Sequence, residues 1–251
     1  MSQAAPSTAV AIGLTITLIT PLCVGATGSS GGVADNELQR DGWGRPIIPG
    51  SQIKGRLRHA CAQVARALGY PLCDAPYADR MCPSDAAIAR AATEAFHRQR
   101  ALARTAMPRQ CDVCALFGSP TYPSPLRFGD AIHRAGAPEP EQPVERERLL
   151  RPGIGIDRQR RTVRDELLFL TETTPAGITL DGAISGRWWE TEASEIRRLL
   201  GLLVAGASLT ARWGGGSSRG LGWSAVALQV TIDDQPVDDL LADLLPEVGA
   251  P

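Results

Sequence analysis

Residues 7–22, STAVAIGLTITLITPL, alternate apolar side chains with small or hydroxylated ones. Val10, Ile12, Leu14, Ile16 and Leu18 fall on one side of a period-two chain, the pattern of a β-strand buried on one face only. A strand of this kind needs an apolar layer over one side and leaves the other polar. The run carries no charged stretch ahead of it, alternates with threonine, and is too short for a membrane-spanning helix. The expectation is a chain without signal peptide or membrane partner, cytoplasmic in location.

The next pattern has a different period. In PGSQIKGRLRHACAQVARALG, positions Ile53, Leu57, Cys61, Val64 and Leu68 recur at helical spacing. Ser51 is placed to cap this helix, and Gly69 and Pro71 end it. Lys54, Arg58 and Arg66 lie off the apolar stripe, so the helix start is an expected anion site. Further on, a short alanine-rich helix is expected over about Ser84 to Arg104 and a strand in LRFGDAIH, ending near Asp130. RRTVRDELLFLTE and GITLDGAISGRWW read as two more strands joined by a turn around Pro175 and Gly177. TEASEIRRLLGLLVAGASL reads as a helix with Thr191 or Ser194 near its start, and GWSAVALQVTI as a last strand. This order is that of an α+β, ferredoxin-like (RRM-like) β-α-β-β-α-β core. Its expected pieces are about 8–69, 125–132 and 166–232. A cysteine-bearing insertion falls at about 70–124, a thumb-like hairpin at about 133–165, and an acidic tail at 233–251.

Charge is unevenly spread. The chain has 26 basic and 27 acidic residues, yet six acids follow Arg219 and no base does. The body is therefore mildly basic, which suits a polyanionic partner. Lys54 is the only lysine; every other basic side chain is arginine. Aromatic residues make up 5% of the chain, too few for base stacking to be the main binding mode.

Four constellations carry chemistry. Cys111 and Cys114 form a C-x-x-C pair, with Cys73 and Cys82 upstream in the same insertion. In a reducing compartment, four such thiols point to a structural Zn2+ site. His59, His97 and Cys61 compete with Cys73 for the fourth place. Asp35 and Asp41 sit in the long glycine-rich loop 23–46, beside Arg40 and Arg45; loop aspartates are commonly turn formers. RPGIGIDRQRRTVRDE gathers Arg151, Arg158, Arg160, Arg161 and Arg164 near Arg148, a set suited to a phosphate backbone or to an interface. Last, RWGGGSSRGLGW, 212–223, matches neither common nucleotide fingerprint. No lysine follows as in a Walker A loop, and the loop leads from helix to strand where a dinucleotide loop does the reverse. Gly214, Gly215, Gly216, Ser217, Ser218 and Arg219 remain suited to a polynucleotide backbone.

Taken together, the motifs resemble a known family. PIIPGSQIKGRLR resembles the Pro-Gly-Ser-x-x-Lys-Gly-x-x-Arg signature of the RAMP superfamily of CRISPR-associated proteins. CALFGS, LRFGDA, GIGIDRQRRTV…LLFLTE, PAGITLDGAISG and GGGSSRGLGW follow in the order seen in the repeated backbone subunit of type III effector complexes. The resemblance implies a subunit that stacks with copies of itself in a helical filament along CRISPR RNA, beside other effector subunits. It implies guide contacts through Ser51, Lys54, Arg56, Arg58 and 214–220, with Arg151 and Arg158 near the thumb. It also implies that a loop aspartate after the first strand, here Asp35, cuts bound target RNA with a divalent metal such as Mg2+. Two other readings stay open: a guide-binding subunit without catalysis, and a stand-alone endonuclease that processes CRISPR precursor RNA through His59.

Overall fold

The computed structural model describes residues 7–25, 34–77, 79–83, 110–133, 149–189 and 191–244, with the side chains of 165 and 166 left aside. It is a mixed α/β structure, consistent with ferredoxin-like folds. Strand β1 (Ser7–Leu18) is central. It pairs antiparallel with β7 (Thr179–Trp189) on one side and β8 (Ser224–Ile232) on the other. The register sets Ile12 beside Ile184 and Val230, and Ile16 beside Leu180 and Val226. Short strands complete the sheet: β2 (Ile47–Ile48) on β4 (Ala131–Ile132), β4 and β3 (Leu126–Phe128) on β7, and β9 (Gln235–Pro236) on β8. The segment expected as one strand ending near Asp130 is thus two short ones, broken at Gly129 and Asp130.

The period-two reading of β1 holds residue by residue. Val10, Ile12, Leu14, Ile16 and Leu18 are each at most 3% exposed, and burying each such side chain stabilises by about 1.5–3 kcal/mol. Helix α1 (Gly50–Ala67) covers this face with Ile53, Leu57, Ala60, Cys61 and Ala65. Residues 112–117 form the short helix α2 (Asp112–Phe117). Helix α3 (Ala193–Leu209), entered through Glu192, adds Ile196, Leu199, Leu200, Leu202, Leu203 and Ala207. The two long helices touch where the Cys61 thiol donates to the Leu202 carbonyl at 3.4 Å. Among the described residues, no helix is long and apolar enough to cross a membrane.

Two expected boundaries differ. The strand expected to belong to the core from residue 166 is β6 (Thr162–Thr173), which pairs along its length with β5 (Leu149–Asp157) in a separate two-stranded sheet and meets the loop at an Asn36–Thr171 bridge. The hairpin therefore extends eight residues further than its expected end near 165. The exposed Val163, Leu167 and Leu168 of β6 gave the appearance of a core strand, because apolar periodicity reports alternation and not burial. The acidic tail is not outside the core either. Leu240 and Leu244 are 4% exposed and pack in the main cluster, and Asp243 pairs with Arg197 at 2.7 Å. Finally, the helix expected over about Ser84–Arg104, His97, residues 134–148 of the expected thumb and 245–251 of the tail lie outside the described residues.

Candidate functional site

The glycine loop leaves α3 and is closed by a bridge between Arg212 and Trp223, whose ring lies 3.8 Å from the Arg212 guanidinium. Trp213, fully buried, anchors it, and its N–H donates to the Gly222 carbonyl at 3.0 Å. The loop is pinned to the segment after β1: Gly215 N–H donates to Cys23 O at 2.7 Å and Gly222 N–H to Pro21 O at 2.8 Å. Gly214 has φ +71°, and a Cβ there would drive into the Cys23 carbonyl. Gly215 differs, with no positive φ and open space out to 3.8 Å. Among the described residues, the N–H groups of Gly216, Ser217 and Ser218 have no partner.

This contrast gives a prediction. Gly214→Ala is expected to lower the thermal midpoint by several degrees, through left-handed strain and the clash. On the expectation that the loop meets an RNA backbone, Gly215→Val should leave the melting curve in place and weaken RNA binding about equally for all guide sequences, because phosphate contacts carry no base information. Melting curves and filter binding with two unrelated guides check both.

Helix α1 meets the loop through Arg56, whose Nη2 donates to Gly214 O at 3.2 Å. Residues two apart on a helix lie about 200° apart, so Lys54 and Arg58 project from the opposite flank. The Lys54 ammonium sits 5.9 Å from the Phe128 ring centroid. Burial, then the neighbouring Arg58 charge, lowers its pKa below the usual lysine value. Arg58 is turned away from the loop: Nη1 donates to Gly118 O at 2.8 Å and Nη2 to Cys114 Sγ at 3.3 Å. Between the flanks lies an exposed ridge of Ser51 and Gly55, with nothing within 4 Å of a Cβ built at 55. Sequence reasoning passed over Gly55; the signal was a glycine inside a helix, which costs about 1 kcal/mol relative to alanine. Ser51 is not the cap. The helix follows Pro49, and the Asp130 carboxylate takes the Gly50 N–H at 2.7 Å. The bare helix start expected as an anion site therefore already faces a carboxylate.

Asp35 is exposed and docked on the hairpin base. Its N–H donates to Leu170 O at 2.9 Å, and its Oδ2 accepts the Leu170 N–H at 2.7 Å. The remaining oxygen has no partner among the described residues. Asp41 is spent on its own turn, accepting from the N–H groups of Trp43 and Arg45 and from Arg45 Nε at 2.6 Å. Burial opposes its charge, but these donors outweigh it and hold its pKa below the usual carboxylate value. Glu37 is buried. Two hairpin residues missed from sequence organise this region. Glu172, 2% exposed, accepts from Leu38 N–H and Arg40 Nη2, both at 2.8 Å. Phe169 lies 5.0 Å beneath the Arg219 guanidinium. Both had been absorbed into an apparent core strand. Asp35 and the glycine loop thus meet the same hairpin at adjacent residues. Arg151 shares the hairpin face of Phe169, opposite Thr171, whereas Arg158 lies in the exposed turn at the tip.

Cys73, Cys82, Cys111 and Cys114 bring their sulfurs within 4.8 Å of one another, a donor set of the kind that holds a metal ion. Cys73 Sγ is 3.4 Å from Cys114 Sγ and 3.7 Å from Cys111 Sγ. Hydrogen bonding from Cys114 lowers the Cys111 pKa to about 5, while burial raises that of Cys82 to about 11. Of the rivals for the fourth place, Cys61 is a core thiol, raised to about 12 by burial, and His59 is exposed on α1. The segment is clamped to both long helices, to α1 through Arg58 and to α3 by the Arg198–Asp112 ion pair.

The model of the RAMP superfamily matches residues 15–225, and no curated protein matches the chain. The matched span runs from within β1 through the Lys54 helix, the cysteine quartet, the hairpin and the glycine loop. The chain belongs to the RAMP superfamily, a family membership that supports a CRISPR-associated, RNA-binding protein.

Proposed function

We propose that this chain is a CRISPR RNA-binding backbone subunit of a type III-like effector complex and that Asp35 takes part in cutting the bound target RNA. The observation that carries the reading is the Arg56–Gly214 contact, which joins the signature helix to the glycine loop beside the hairpin that holds Asp35. In this reading the guide backbone runs from the open N–H groups at 216–218 across Gly55, between Arg56 and Lys54. Ser51, Arg219 and Arg151 border that path. The hairpin from 149 to 173 is the thumb, inserted between guide and target, and its exposed Ile154, Ile156 and Leu168 suit contact with splayed bases or with a neighbouring copy of the chain. The sheet order, with the two long helices on one face, is read as the ferredoxin-like core.

RNA carries its own nucleophile, the 2′-hydroxyl. A nucleotide splayed by the thumb can align that hydroxyl with the adjacent phosphorus. Asp35 is held by Leu170, with one oxygen left over to accept the hydroxyl proton. As it does so, the 2′-oxygen bonds to phosphorus, the bond to the next nucleotide's 5′-oxygen breaks, and that oxygen takes a proton from water to leave a 5′-hydroxyl and a 2′,3′-cyclic phosphate. A divalent cation such as Mg2+, if held by that carboxylate, supplies charge stabilisation for the phosphate. The four sulfurs fit Zn2+: a Zn–S distance of about 2.3 Å in a tetrahedron sets sulfurs about 3.8 Å apart, near the spacings seen here.

One specific observation favours the guide-binding reading without catalysis: the Asp35 carboxylate already has a structural partner in Leu170. Cleavage by Asp35 variants separates the two. A second test addresses the path. Gly55→Ala should stabilise the chain by up to about 1 kcal/mol while weakening guide binding several-fold, since a methyl would stand where the backbone passes. Denaturant melts and filter binding read the two effects. Stability and affinity rising together would move the RNA off this ridge.

A further inference from the structure

We propose that Arg58 serves the cysteine centre, as the hydrogen-bond donor that offsets its charge, and is not a guide contact. The inference rests on the zinc reading above. Four thiolates around Zn2+ carry a net charge of −2, which a positive donor close to one sulfur offsets; such outer partners tune metal affinity. Arg58 has the geometry for this. Its fork is divided between Cys114 Sγ at 3.3 Å and the Gly118 carbonyl at 2.8 Å. Gly118 is the residue at which the chain leaves α2, so its carbonyl marks the end of the segment that carries Cys111 and Cys114. One guanidinium thus fixes a ligand and the end of the segment that carries it. A lysine ammonium, with no planar fork, does not reproduce both bonds.

Position on the helix argues the same way. Arg58 lies about 200° around α1 from Arg56, the residue that touches the glycine loop. It lies near Lys54, and the Phe128 ring under Lys54 stacks on Phe117 of α2 at 5.6 Å. This flank of α1 is the side on which the cysteine segment packs. Metal occupancy therefore braces the helix that carries Lys54 and Arg56 from behind, through Arg58.

The test uses the full chain loaded with Zn2+ and challenged with a graded chelator, the retained zinc being read by elemental analysis. Guide binding is followed against salt on the same samples. Arg58→Gln and Arg58→Lys are expected to weaken zinc retention about 10–100-fold and to leave the salt dependence of guide binding unchanged. With Co2+ in place of Zn2+, the sulfur-to-metal absorption band should shift in both variants, a signature that loss of packing alone does not give. Melting curves establish that each variant is folded, and Arg58→Lys decides if Arg58→Gln is not. Unchanged zinc retention in folded variants overturns the proposal, and a salt slope reduced by about one in Arg58→Gln, where the charge is gone, makes Arg58 a phosphate contact instead. A parent chain that takes up no zinc overturns the metal reading instead, and is recognised before any variant is made.

Discussion

Asp35→Ala is expected to reduce target-RNA cleavage by about 10²–10⁴-fold, the range for removing a positioned acid–base group, with guide binding unchanged within error. The geometry accounts for both halves. Among the loop acids Asp35, Glu37 and Asp41, only Asp35 is exposed; Glu37 is buried and Asp41 is consumed by its own turn. The guide path proposed above runs over the glycine loop and α1, which Asp35 does not touch. Its Leu170 contact complicates alanine alone, because the hairpin base loses an acceptor for the Leu170 N–H. Asp35→Asn settles that point. Its amide oxygen still accepts from Leu170, so the loop stays docked, but the proton acceptor and cation ligand are gone. Loss of cleavage in both variants, with guide affinity retained, assigns the chemistry to the carboxylate. Loss in alanine alone makes Asp35 a positioning residue. Cleavage unchanged in both places the activity elsewhere and leaves a guide-binding subunit. The measurement is single-turnover cleavage of a labelled target by the assembled complex, with Mg2+ added or withheld.

Legibility followed the range of the interactions. β1 and α1 were readable because their apolar periods, 2 and 3.6, are local consequences of backbone geometry. The Cys111–Cys114 pair was readable because C-x-x-C spacing is local, whereas the fourth place stayed open between Cys73, Cys61, His59 and His97, since the approach of Cys73 is a tertiary fact. The hairpin was misread because Leu168 and Leu170 alternate like core residues, while the exposure of Val163, Leu167 and Leu168 is a tertiary fact. Exposed apolar residues on a projecting hairpin carry the same pattern as buried ones. The role of Arg58 was hidden for a related reason. It sits in a basic stretch with Lys54 and Arg56, and only the helix phase together with the position of Cys114 shows that these neighbours face different partners. The Asp130 carboxylate on the start of α1 is another long-range event, joining positions 80 residues apart. No local rule predicts it, and it removed the anion site that the helix start had suggested.

On the zinc reading proposed above, the double replacement Cys111→Ser, Cys114→Ser is expected to remove bound zinc and to release the segment around α2 while the sheet stays folded. An α-helix of six residues does not persist alone in water, so α2 depends on what holds it. Three kinds of contact do. Val113, Leu116 and Phe117 are buried in the main core; Arg58 and Arg198 clamp it to α1 and α3; and the quartet ties it to Cys73 and Cys82. Structural zinc contributes about 10–16 kcal/mol in small zinc-finger peptides. Here the loss is smaller and local, since the apolar anchors remain after the metal has gone. Hydrogen exchange should therefore rise at 73–83 and 110–118, stay low in β1, β7 and β8, and be matched by EDTA treatment of the parent chain. The thermal midpoint should fall as well, because α2 carries part of the shared core. If the serine variant and the parent exchange alike, and neither holds metal, the four thiols are packing groups whose proximity has no chemical use. If instead the whole sheet loses protection, the quartet supports the fold globally, and guide binding through α1 should then fail with it.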